Sequence, residues 1–239
     1  MSFVGRAQRA PASRLFSALV LLTAMRANAE PAAHPRIAPL PPEKWSPAVR
    51  AALEATLPRV STLNGESAPA AGAKPLPILS VIAHDEALLV PFLGFASALA
   101  QHGALPRRDS ELLALRTAWR CGSAFEWGHH ALYARAAGVS DEEIARVAEQ
   151  AIAPAWSPRE AALLRAADEL VATQRIGDAT WAALRTELTD AQLVEVPFVV
   201  GHYAMLSMVA ESTGVELEAG LPPLPPTARR GAQPEVKSE

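Results

Sequence analysis

Glu111-Leu-Leu-Ala-Leu-Arg-Thr-Ala-Trp-Arg-Cys-Gly-Ser-Ala-Phe-Glu-Trp-Gly-His-His130 sets three ionisable groups, Glu111, Glu126 and His130, into a run that is otherwise apolar and helix-forming. Such groups are costly to bury unless paired, so their presence asks for partners. Glu126 and His130 are four apart and stack on one face of a helix, while Glu111 opens the preceding helix and can fold back against them. A carboxylate beside an imidazole is an arrangement for moving protons. The spacing predicts one helix starting at Arg108 or Asp109 and ending near Cys121-Gly122, then a second from about Ala124 to Ala137 stopped by Gly138.

Working outward, Ser140-x-x-Glu143, Ser157-x-x-Glu160 and Thr189-x-x-Gln192 each have the form of a capping box ahead of an apolar periodic run. Ser46-Pro47 gives an N-cap and a first-turn proline before Val49, Leu53 and Leu57 at helical spacing. Ile78 to Ala100 is apolar around Pro91, which predicts two short helices or one kinked helix. A last helix should run from about Asp190 to Thr213, kink at Pro197 and stop at Gly214. No segment sustains a period of two, so the chain reads as all-α, in a single domain over residues 43–220. A Pro/Ala-rich linker (30–42) precedes it. A long loop over 61–75, of the kind that forms lids or stays mobile, interrupts it, and a Pro-rich then polar tail (221–239) that reads as disordered follows.

The chain has 239 residues, half of them hydrophobic, and a formal charge of −3. That leaves no basic field for nucleic acid, and none is expected as a partner. The single cysteine, Cys121, excludes an intramolecular disulfide and a cysteine-based structural zinc site. Arg6, Arg9 and Arg14 precede an apolar run from Leu15 to Met25 and then Ala27-Asn28-Ala29, the three parts of a secretory signal cleaved after Ala29. The run is shorter than the ~20 residues of a spanning helix, so no membrane span is expected. Cleavage implies a periplasmic or secreted protein. Arg26 stands against it, and a retained lead, or an over-extended translation start, implies a cytoplasmic one.

The Glu111 to His130 stretch resembles the carboxymuconolactone decarboxylase and alkylhydroperoxidase D superfamily, whose core is a helix beginning with Glu, a Cys-x-x-Cys turn and a His four residues after the second Cys. With Glu111 and His130 as anchors, the cysteine positions fall on Ser123 and Glu126, so the redox pair is missing. The segments Trp156 to Leu170, Trp181 and Val200-Gly-His-Tyr-Ala-Met205 look like the larger members, and the resemblance covers roughly residues 36 to 222. It implies the alkylhydroperoxidase D-like helical fold, built of two similar halves, and a homo-oligomer. Its members are mostly cytoplasmic, and its decarboxylase branch likewise carries an acidic residue four before the His. A faint internal echo links Trp127-Gly-His-His-Ala-Leu132 to Val200-Gly-His-Tyr-Ala-Met205, too short by itself to establish a repeat.

Peroxidase chemistry in the redox members needs a low-pKa thiolate and a second thiol to resolve it. This chain has one thiol, and Cys121 lies two residues before the first motif position. A carboxylate near another carboxylate and an imidazole should instead push pKa values apart, leaving one group as acid and another as base. That suits decarboxylation, lactone rearrangement or tautomerisation. The expectation is a cofactor-independent lyase or isomerase acting on a small carboxylated or lactone substrate, with His130 and Glu126 in acid-base roles and Glu111 orienting the imidazole. Tyr133, Arg116 and Trp127 are the candidate substrate-binding residues: an aromatic wall, and an Arg fork for a retained carboxylate. A pairing of Arg116 with a buried acid stands beside that reading, and core packing beside the aromatic one. Two alternatives remain: a thiol-dependent peroxidase using Cys121, and a non-catalytic oligomeric binding protein whose triad only specifies helix packing. Two carboxylates and a His could hold a divalent cation, with His84 and His202 completing a shell, but no spacing requires it, and neither metal nor cofactor is expected. His129, about 100° round the helix from His130, should face elsewhere.

Overall fold

Every residue from Asp109 to Trp119 is buried, in a helix with no solvent face, and the other helices cover it on all sides. The computed structural model describes residues 35–57 and 74–225, all within a unit spanning Pro31–Glu239. The lead to Ala29, residues 30–34, the loop over 61–73 and the tail from 226 onward lie outside the described residues. Among the described residues the regular elements are helical, with no strand. They are α1 (Pro47–Glu54), α2 (Pro77–Ile82), α3 (Glu86–His102), α4 (Arg107–Cys121), α5 (Ala124–Ala136), α6 (Asp141–Val147), α7 (Pro158–Thr173), α8 (Asp178–Arg185) and α9 (Asp190–Thr213), with a 3-10 turn at Pro42–Lys44.

Local chemistry fixes most helix starts. The Ser46 hydroxyl accepts from the Val49 amide at 3.1 Å with Pro47 in the first turn, and all three capping boxes form with both reciprocal bonds. Gly122, at φ 70°, ends α4 in the left-handed conformation that a side chain would oppose, and the Ser123 hydroxyl caps α5. The run Ile78 to Ala100 is two helices, and the break is not at Pro91. It falls at Ala83–Asp85, because Asp85 caps α3 by accepting from the Leu88 amide at 3.2 Å. Pro91 sits inside α3 and Pro197 inside α9.

α5, α7 and α9 pack directly on α4. Leu113 and Ala114 of α4 join Val49, Leu53 and Leu89 with residues of α7 and α9 in one core; Leu112, Leu115, Ala118 and Trp119 join Trp127, Ala131, Val147 and Trp156 in another. A helix buried on every side must pair each of its polar groups internally. Thr117 donates to the Leu113 carbonyl at 2.7 Å, and Asp109 ion-pairs with Arg159. Arg108 reaches both capping-box acids, Glu143 at 2.5 Å and Glu160 at 2.8 Å, and so joins the starts of α4, α6 and α7.

Within the described part of the Pro/Ala-rich segment, the Arg36 and Ile37 amides donate to the Thr213 carbonyl at 2.7 and 3.0 Å, and the Leu40 amide to the Ser80 carbonyl at 2.9 Å. α9 is long and apolar enough to cross a membrane by length and composition, and 56% of its apolar stretch is buried inside the fold.

Candidate active site

α4 and α5 leave the Gly122 turn antiparallel enough for Glu111 to meet His130, with Glu111 Oε2 lying 2.7 Å from His130 Nδ1. A carboxylate offers only lone pairs, so Nδ1 carries the proton and Nε2 is left as the basic nitrogen. The other Glu111 oxygen pairs with Arg107, four residues earlier on α4. Glu111 is fully buried and His130 nearly so.

His130 Nε2 faces Glu126 Oε2 at 3.6 Å, beyond hydrogen-bond reach. Glu126 Oε1 is buried with no hydrogen-bond partner among the described residues. Burial first, and the negative charge of Glu111 second, push the Glu126 carboxyl up from 4.5 to about 8. At neutral pH it is therefore a protonated acid facing the imidazole.

Both residues line a cavity of about 130 Å3. Its walls are largely apolar, from Leu76, Ile78, Leu79, Phe92, Phe125 and Leu206, and it also receives Arg107, His129, Tyr133, His202 and Tyr203. The two echo segments meet here, with the His130 ring edge-on to Tyr203 at 4.2 Å and to Tyr133 at 5.3 Å. His202 is stacked on Phe92 at 5.6 Å. Burial, and then the neighbouring His130, hold His202 down at about 4, so it is neutral. Tyr133 and Tyr203 are pushed above the ordinary phenol range by burial first and by Glu111 second.

Of the sequence candidates, Glu111, Glu126 and His130 come together, and Tyr133 lines the cavity with the latter two. Arg116 and Trp127 do not line it. Arg116 is consumed elsewhere: its Nε and Nη2 hold Asp168 at 2.6 and 2.7 Å, its Nη1 donates to the Val147 and Glu149 carbonyls at 2.6 Å, and its plane lies over Trp119. Arg120 binds the same Asp168 carboxylate at 2.6 Å. Trp127, about 100° round α5 from Glu126, packs with Leu112, Trp119 and Trp156 in the second core. Cys121 ends α4 and does not line the cavity.

His129, expected on another face, lines the same cavity and bonds Glu218 at 3.0 Å. Buried from Phe125 to Ala131, α5 presents neighbouring faces to one space. Arg107 was the residue missed. Its place four before Glu111 is an i,i+4 ion-pair spacing, which was the available signal. His84 Nε2 donates to the Ala38 carbonyl at 2.9 Å, in an exposed position. Among the described residues no group of three or more His, Cys, Asp and Glu side chains is disposed to hold a metal ion.

Residues 86–169 match the carboxymuconolactone decarboxylase family. No curated protein sequence matches the chain. Among solved structures the fold is similar to an uncharacterised peroxidase-related protein with an alkylhydroperoxidase AhpD core from Ralstonia eutropha, at 19% identity and TM-score 0.62, over 78% of this chain and 95% of that one. A peroxidase-related protein from Silicibacter sp. gives 18% identity and TM-score 0.60, over 82% and 96%. The debrominase Bmp8, solved with 2,3,4-tribromopyrrole, gives 13% and 0.63, over 77% and 91%. The residues that match the family hold α3 to most of α7, including Glu111, Glu126 and His130, without the redox cysteine pair, and the fold along most of the described length is similar to the alkylhydroperoxidase D-like helical architecture.

Proposed function

We propose that the protein is a cofactor-independent lyase or isomerase that moves protons on a small carboxylated or lactone substrate. One observation carries this reading: Glu126, whose carboxyl burial pushes up to about 8, faces His130 Nε2 at 3.6 Å in one cavity, while Glu111 holds the other ring nitrogen. In a lactone isomerisation, His130 Nε2 takes a proton from the carbon next to the carbonyl. Glu126 donates a hydrogen bond to the carbonyl oxygen as negative charge develops there, and the proton returns to the far carbon of the dienolate. Glu111 stabilises the imidazolium in between, and Arg107 pairs with the other Glu111 oxygen.

The test is α-angelica lactone in deuterated buffer, read by proton NMR for conversion to its conjugated isomer and for deuterium uptake beside the carbonyl. Enzyme-dependent exchange that disappears in His130→Ala supports the reading. No exchange with the wild-type chain, together with peroxide turnover that Cys121→Ser abolishes, overturns it. The same reading makes the chain a homo-oligomer, supported by Val194, Phe198, Met205 and Met208, which stand exposed along one stripe of α9. A monomer by light scattering at micromolar concentration removes that part.

A further inference from the structure

Three buried polar atoms without a hydrogen-bond partner among the described residues, Glu126 Oε1, Tyr133 Oη and His202 Nδ1, belong to residues lining the same small cavity. In folded proteins such atoms are paired in the great majority of cases, so three around one space describe the complement of something that binds there. We propose that the cavity takes an uncharged single-ring molecule, a cyclic ester or ring ketone, that it rejects the same ring bearing a carboxylate, and that Tyr133 and His202 hold the ring's oxygens. The proposal rests on the acid-base reading of the site and narrows its substrate class to the uncharged lactone.

Size comes first. The cavity, at about 130 Å3, is close to the ~150 Å3 cavity that holds a benzene molecule, which allows one ring and few substituents.

Charge decides between the two substrate classes. A carboxylate entering a largely apolar space needs a cation that is not already engaged. Arg107 is the one Lys or Arg side chain among the described lining residues, and it is paired with the fully buried Glu111. His129 bonds Glu218 at 3.0 Å. A bound carboxylate would therefore compete with Glu111 for its guanidinium and lie near Glu126 as well.

What the walls offer instead is neutral. Burial keeps the Tyr133 hydroxyl protonated and the His202 imidazole uncharged, and it holds Glu126 as an acid. Two hydroxyl donors and an imidazole edge suit a carbonyl and a ring oxygen. His202 is set for this by packing, stacked on Phe92 at 5.6 Å and edge-on to Phe95 at 5.3 Å and to Tyr203 at 4.9 Å.

Titration calorimetry near pH 7 with benzamide and benzoate, equal in shape and different in charge, and with 2(5H)-furanone, tests the proposal on the full chain. Benzamide and the furanone should bind, with benzoate at least tenfold weaker than benzamide. Tyr133→Phe and His202→Phe should each weaken benzamide about fivefold, the worth of one hydrogen bond. Benzoate binding as well as benzamide, no binding of either neutral ring, or unchanged affinity in both folded variants would overturn it. The comparison on the wild-type chain decides the matter even where a variant fails to fold. Neutral rings that bind without any deuterium exchange support this inference and sink the proposed reaction. Turnover of a carboxylated lactone but of no neutral one does the reverse.

Discussion

Glu111 and His130 are bonded through Nδ1 at 2.7 Å, with Arg107 on the other Glu111 oxygen, so the imidazole presents a single nitrogen to the cavity. That fixes tautomer and ring orientation before any substrate arrives. His130→Ala should lower the exchange rate by about 10² to 10⁴, the usual worth of a positioned acid-base group. His129→Ala, which removes a lining imidazole with no bond to Glu111, should raise KM and leave kcat within a few-fold. Steady-state kinetics of both variants, each checked for folding by circular dichroism, separate the two roles. Equal losses of kcat would mean that packing explains the pair.

Glu126 makes stability depend on pH in a particular direction. Its folded-state pKa, about 8, is above the ordinary 4.5, so the stability it contributes is complete below 4.5 and is lost as pH rises through 8. His202, held down at about 4 from 6.5, contributes stability that is complete above 6.5 and is lost as pH falls through 4. Between 6.5 and 8 the His202 contribution is constant and the Glu126 one is falling. Urea midpoints should therefore decline across that window in the wild type and be flatter in Glu126→Gln. Parallel slopes in the two proteins would show that Glu126 is not protonated in the folded chain.

Asp168 neutralises two arginines, one of them Arg116, which is 1% exposed. Asp168→Ala leaves a buried guanidinium without its carboxylate and should destabilise the chain by about 3 kcal/mol in urea denaturation. Because none of the three lines the cavity, the exchange rate per folded molecule should stay within a few-fold. A large loss of rate in folded protein would put Arg116 back among the substrate-binding residues.

Cys121→Ser should keep both the fold and the exchange activity within a few-fold, because the thiol ends α4 away from the cavity walls. Peroxide consumption measured alongside gives the contrary outcome: activity in the wild type that vanishes in the variant.

Gly128 lies under the segment that follows α9. A methyl group there would collide with the Leu217 side chain and stand 3.2 Å from the Pro222 carbonyl. Gly128→Ala should cost about 1 to 3 kcal/mol and speed proteolytic cleavage after Val215. Unchanged cleavage would mean that Leu217 swings aside without moving the backbone.

Helix starts were legible because caps are local: Ser140, Ser157 and Thr189 each needed only a partner three residues on. The triad was legible because Glu126 and His130 share a helix face and an acid such as Glu111 needs a reason to be buried. Of the two readings of Arg116, the pairing with an acid is the one the structure has, but its partner Asp168 could not be named because it lies 52 residues away on α7, a distance no periodicity encodes. His129 was misplaced because an angle round a helix says which way a side chain leaves, and not how wide a cavity opens beside it. The second wall, His202 and Tyr203, was visible as an echo of Gly-His-His, and His202 also as a possible metal ligand, but its place beside His130 needed both halves in three dimensions.

Arg107 and Arg108 are the first two residues of α4, where the helix dipole is positive and cations are disfavoured by roughly 0.3 to 1 kcal/mol each. One turns to Glu111 behind His130 and the other to the acids that open α6 and α7. The outermost turn of the central helix is thus held by ion pairs to other parts of the fold rather than by a cap of its own, and the Arg107 guanidinium that holds Glu111 against His130 depends on that turn.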